Sequence, residues 1–102
     1  MIYILENVEN FYKIGYTKDL EQRLKQLGTG NSSDLTVIKT FDTKYDSKIE
    51  AYLKKYFKSN NIKGEWFNFS KEEIEKIETI IMKKEKTFDF LKASDNPFFN
   101  KI

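Results

Sequence analysis

The chain has 102 residues, room for one domain and little more. Its 39% hydrophobic content supplies one modest core, while 18 Lys and Arg against 16 Asp and Glu leave a net charge of only +2, too even for a histone-like binder. It contains no Cys and no His, which excludes disulfides, zinc fingers, thiolate catalysis, a Ser-His-Asp triad and a His-ligated metal.

Any catalysis must therefore use carboxylates, Lys, Arg or Tyr, with an oxygen-liganded hard cation such as Mg²⁺ (or Mn²⁺). No stretch approaches the roughly 20 apolar residues that span a bilayer, and the start carries no basic segment followed by an apolar run. We expect a cytoplasmic protein with no membrane partner.

Ile2 to Leu5 is an apolar run suited to a buried strand. A polar turn, residues 6–10, precedes a second strand over Phe11–Ile14 that ends at Gly15, so a hairpin is predicted. Asp19 can cap a helix that aligns Leu20, Leu24 and Leu27, with Gly28 placed to stop it. Residues 29–34 read as a loop, and Leu35–Phe41, with Val37 and Ile38, as a third strand.

Ser47 to Glu50 has the form of a capping box, opening a helix striped by Ile49, Tyr52, Leu53, Tyr56 and Phe57. A turn at Asn60–Gly64 leads to a short aromatic strand, Glu65–Phe69. A second capping box, Ser70 to Glu73, starts a helix with Ile74, Ile77, Ile80 and Ile81 inward, and this pattern weakens after Lys86. The expected fold is α/β (α+β), ordered β-β-α-β-α-β-α, with a small, mostly antiparallel sheet flanked by helices. Residues 1–91 form the domain and 92–102 a loose tail, in which Phe98, Phe99 and Ile102 could dock.

Arg23 lies about 65° from the leucine direction of its helix, at ~100° per residue, and so on the flank of the packing face. Glu50 occupies a similar flank beside Ile49 and Leu53. Such edge positions suit groups that must be held firmly yet reach a substrate. Structural roles also fit: Arg23 as a surface partner of Asp19, and Glu50 as the partner of Ser47 in its capping box. Helix geometry does not choose between these readings.

Motif order adds information. Ile2-Tyr3, then Lys13-Ile14-Gly15-Tyr16-Thr17, then Arg23, Glu50 and Gly64-Glu65-Trp66-Phe67 resemble the GIY-YIG nuclease superfamily, in particular its phage and large-DNA-virus branch, often labelled a DNA-binding domain. The resemblance covers about residues 1–70. It implies a metal-dependent DNA endonuclease that hydrolyses a phosphodiester through one divalent cation and a tyrosine-activated water. It implies Arg23 on the scissile phosphate, Glu50 as the metal ligand, Gly15 where the backbone approaches substrate, and Tyr3 beside the site.

The chemistry agrees. Glu50 offers hard oxygens for Mg²⁺, and Arg23 a permanently charged fork that matches a phosphate. Lys13 stands where the superfamily has tyrosine, and Tyr16 stands just past the glycine. Either Tyr16 or Tyr3 is then the group that activates or positions water, with Lys13 a phosphate contact. A position that many relatives fill with a polar group is here Leu27. Lys18, Lys54 and Lys58, joined by Lys55 and Lys63, are candidate DNA contacts, and Asn68 matches a late superfamily asparagine.

Trp66, Phe67 and Phe69 read as core residues in preference to base-stacking platforms, and Lys83, Lys84 and Lys86 as solubilising. The alternatives are a catalytically weak or inactive DNA-binding module on the same fold, or a protein-interaction domain in which Arg23 and Glu50 are structural. A chain this small has no separate recognition domain, so any specificity would come from a homodimer or a partner protein.

Overall fold

Asn7 organises the first turn. Its side-chain oxygen accepts from the N–H groups of Glu9 and Phe11 at 3.0 and 2.9 Å, and Asn10 takes a left-handed φ of 64°. Asparagine supports both, through a short side chain that bonds the backbone two residues on and a tolerance of positive φ. The turn joins β1 (Ile2–Asn7) to β2 (Tyr12–Tyr16) as the predicted hairpin. Residues 1–27, 35–95 and 97 are described in this computed structural model.

After the hairpin come α1 (Leu20–Gln26), β3 (Leu35–Phe41), α2 (Asp46–Tyr56), a 3-10 turn at Lys58–Asn60, β4 (Asn61–Lys63), β5 (Trp66–Phe67) and α3 (Lys71–Ala93). The sheet is ordered β3-β1-β2-β5-β4 and every pairing is antiparallel. The α+β class and the antiparallel sheet match expectation. One strand was not foreseen: β4 forms where only a turn was expected, because its three residues are all exposed and carry no apolar alternation.

β1 is central, and Ile2, Tyr3, Ile4 and Leu5 are at most 1% exposed. Strand side chains alternate faces, and here both faces are covered. Ile2, Ile4 and Ile14 join Ile49 and Leu53 of α2, Phe57 just past its end, and Ile77, Ile81 and Phe88 of α3 in one core. Tyr3 and Leu5 point to the opposite face, on which α1 lies. Phe67 stacks on Phe69, which meets Phe57 edge-on, so the aromatic segment is core as expected, with Trp66 half-buried beside it.

The two predicted capping boxes have different outcomes. At Ser70 the box is complete: Ser70 Oγ accepts from Glu73 N at 3.1 Å, and Glu73 Oε1 accepts from Ser70 N at 2.8 Å. At Ser47 there is none. α2 begins at Asp46, with Tyr45 as a cap residue that makes no side-chain cap bond, because burying Tyr45 and Ile49 starts the helical turn earlier. Glu50 is thereby released from a capping role.

α3 runs beyond the expected weakening at Lys86 to Ala93, with Phe88 1% exposed. Lys84, expected only to solubilise, lies 4.0 Å from the centre of the Tyr52 ring. The expected start of the tail, Lys92 and Ala93, is therefore helical. The expected helix stop at Gly28, the loop at 29–34 and the docking residues Phe98, Phe99 and Ile102 lie outside the described residues. Among the described residues no helix is long and apolar enough to cross a membrane.

Two tests follow. Phe88→Ala should lower the unfolding free energy by about 3–5 kcal/mol, whereas Phe90→Ala, at an exposed position, should change it by less than about 0.5 kcal/mol, both read from urea denaturation. Glu73 is held below the ordinary carboxylate value of 4.5, first by the Ser70 N–H and then by Asn60. A depressed folded-state pKa stabilises above the unfolded value and is lost as pH falls through the folded one. Acid titration of Glu73→Gln should accordingly show a shallower loss of stability below pH 4.5 than the parent.

Candidate active site

β5 pairs with β2 only at Tyr12 and Lys13. Beyond Lys13, residues 14–16 of β2 have β1 on one side and, among the described residues, no strand on the other. Side chains from both faces of the sheet approach this free edge.

On the α1 face, Tyr3 is paired across the strands with Gly15. A Cβ added at Gly15 would lie 2.4 Å from both Cζ and Oη of Tyr3, so only glycine lets the ring cross β2. The hydroxyl of that ring accepts from Arg23 Nε at 3.2 Å, while Arg23 Nη1 donates to Gln26 at 3.4 Å. The expected pair with Asp19 is not formed: Asp19 Oδ1 instead accepts from Gln22 N as the cap of α1. The Tyr3 hydrogen bond, with Glu65 acting at longer range, raises the Arg23 pKa further above its ordinary value.

Lys13 shares this face with Gly15 by alternation. Its side chain is only 14% exposed, and its ammonium is 2.8 Å from Glu65 Oε2. Glu65 stands in the turn between β4 and β5, where Gly64 has φ of 55°. Asn61 Nδ2 donates to the carbonyls of Gly64 and Trp66 at 2.8 and 3.0 Å and fixes the turn. The second carboxylate oxygen of Glu65 is 3.5 Å from Lys54 Nζ, and Lys54 is 3.2 Å from Glu50 Oε1. These cations, Lys13 foremost, hold the Glu65 pKa below the usual carboxylate range.

Of the sequence-predicted residues, Tyr3 and Arg23 thus form one pair, and Lys13, Glu50 and Lys54 are joined in an ionic network. Glu65 is its centre and was not singled out as a site residue. The signal was present in the Gly64-Glu65-Trp66-Phe67 segment, but a three-residue strand followed by a turn gives no periodicity that would aim its side chain.

Tyr16 pairs with Ile2, on the sheet face opposite to Tyr3, and is 46% exposed at the free edge. Lys18 is exposed just beyond it, before the cap of α1. Lys58 is exposed one helical turn past Lys54 and outside the network. Asn68 lies toward the hairpin-turn end of β2. Its backbone N–H and C=O are tied to Asn60 at 2.8 and 3.0 Å.

A groove of about 270 Å³, lined in part by Phe41, Glu78, Ile81, Met82 and Asp89, lies at the β3 edge, across the sheet from this group. Two of its carboxylates are occupied, Glu78 by Lys39 and Asp89 by Lys44. It assembles no comparable set of chemistry-bearing groups.

No cluster of three or more candidate metal ligands occurs among the described residues, so a cation here would rest on Glu50 with water completing its shell. The observation that bears on fit is Lys54: the Glu50 carboxylate already holds one positive charge at ion-pair distance, and its oxygens are of the hard type that Mg²⁺ prefers.

Gly15→Ala should cost about 1–3 kcal/mol in stability, since the added methyl displaces the Tyr3 ring. Combined with Tyr3→Ala the cost should be less than additive, as a double-mutant cycle by thermal melting would show.

The T5orf172 domain model matches residues 1–82. No curated protein and no solved structure gives a significant match. The chain belongs to the T5orf172 domain family, a phage-associated domain related to GIY-YIG- and HNH-like nuclease folds.

Proposed function

We propose, on the premise of that membership, that this protein is a metal-dependent DNA endonuclease acting at the free edge of β2. The observation that carries the reading is the ionic network of Lys13, Glu65, Lys54 and Glu50 beside the Tyr3–Arg23 pair, whose ring crosses β2 at Gly15, two residues from Lys13. Lys13, Lys54 and Glu65 come from elements distant in sequence, and their charged groups converge beside β2.

Arg23 binds the scissile phosphate and stabilises the charge that develops on its oxygens. Tyr3 positions it: with one lone pair engaged by Arg23 Nε–H, the buried phenol fixes the plane of the guanidinium. Lys13 and Lys54 contact the flanking backbone, and Lys18 and Lys58 extend the cationic track. Glu50 would hold Mg²⁺ or Mn²⁺, which when bound supplies Lewis-acid charge neutralisation at the phosphate. Of the two candidate tyrosines, Tyr16, half-exposed one residue past Gly15, is the one open to solvent, and it takes the water-orienting role. Asn68 is the weakest member of the set, since only its backbone is engaged.

The second reading, a DNA-binding module without cleavage, is favoured by one observation. Lys54 occupies Glu50, and the charges of the network are matched within the protein.

Plasmid incubated with Mg²⁺ or Mn²⁺ should be nicked or cut by the parent protein. Glu50→Ala and Arg23→Ala should reduce the rate by about 100-fold or more, with both variants folded by circular dichroism at the assay temperature. Cutting that persists in both variants overturns the endonuclease reading, and binding without cutting in any divalent metal supports the module. Tyr16→Phe should lower the rate while leaving DNA affinity unchanged, as measured by anisotropy without metal.

A further inference from the structure

Glu65 is the anion that completes a cluster of cations, and the two sides of that contact are unequally anchored. Lys13, on a central strand, has a side chain 14% exposed, and Lys54, on α2, one 30% exposed, whereas the Glu65 side chain is 57% exposed. The cations belong to the framework, and the anion reaches in from a surface turn. The backbone of that turn is fixed by Asn61, so rotation of the Glu65 side chain alone would vacate the cluster.

We infer that the Glu65 carboxylate occupies a phosphate subsite. It bridges Lys13 at 2.8 Å and Lys54 at 3.5 Å, and a nucleic-acid backbone phosphate displaces it on binding. A carboxylate and a phosphate present the same kind of anionic oxygen to an ammonium, so one can hold the site for the other. In the free protein Glu65 holds the Lys13 ammonium in place at 2.8 Å, at the cost of competing with the substrate. This inference rests on the proposal that a nucleic-acid strand follows the free edge of β2, and it adds where one of its phosphates sits.

The test is binding, measured without divalent metal so that cleavage plays no part. Fluorescence anisotropy of a labelled short duplex is recorded at several salt concentrations for the parent protein and Glu65→Gln. The variant should bind about two- to fivefold tighter, as expected for releasing a partly exposed ion pair. Its salt dependence should steepen by about one phosphate equivalent. Adding Lys13→Gln to Glu65→Gln should remove the gain.

Equal or weaker binding by a Glu65→Gln protein of unchanged melting temperature overturns the inference while leaving the DNA reading intact. Absence of binding by both proteins at low salt sinks the DNA reading and the inference together. If Glu65→Gln does not fold, carbon-13 NMR of the parent decides. The Glu65 carboxyl resonance should move on saturation with the duplex, and an unmoved resonance rejects displacement.

Discussion

Tyr3 lies across Gly15, its partner on the neighbouring strand, and accepts the Nε–H of Arg23. Much else depends on this contact, because it joins the central strand to the helix on the sheet's second face. The ring can take that path only because β2 offers no Cβ at Gly15. The hydroxyl needs a donor there, since a buried phenol oxygen without one would be unfavourable, and Arg23 supplies it. A packing requirement and a charge requirement are met by the same three residues.

The short pairing of β5 shapes the rest. Two residues are enough to anchor the aromatic core through Phe67, yet too few to cover β2 along its length. The uncovered end is where groups from α1, α2 and the β4–β5 turn come within reach of one another. Antiparallel sheets are free to expose an edge in this way, and charged side chains are a common means of preventing unwanted strand addition there. The ionic network of Lys13, Glu65, Lys54 and Glu50 therefore also guards the edge.

What could be read from the residues alone depended on how local the cause was. The hairpin, the Asp19 cap and the Ser70 box arise from contacts within a few positions, and each formed as the sequence pattern implied. The Ser47 box has the same local pattern and failed, because burying Tyr45 together with Ile49 outweighed one cap hydrogen bond. The apolar pattern of α3 weakens after Lys86, yet the helix continues and buries Phe88, with Lys84 packed on Tyr52. For the polar group, motif order named Arg23 and Glu50, but nothing in the residue spacing could reveal that Glu65 would stand between their neighbours. That depends on a turn brought beside β2 by only two strand residues.

α1 is seven residues long and none of its side chains is fully buried, although it carries Arg23. A helix that short is marginal on its own, where nucleation is hardly recovered by propagation. Its attachment includes the half-buried face of Leu20, Leu24 and Leu27 and the Arg23–Tyr3 hydrogen bond. It should therefore detach in a sub-global opening of lower free energy than the unfolding of the core, which is held by Ile4, Ile14, Leu53 and Ile77. On warming, the arginine would leave its post while the sheet and the two longer helices still gave a native circular dichroism spectrum. Heat would part Arg23 from Tyr3 before it melted the core.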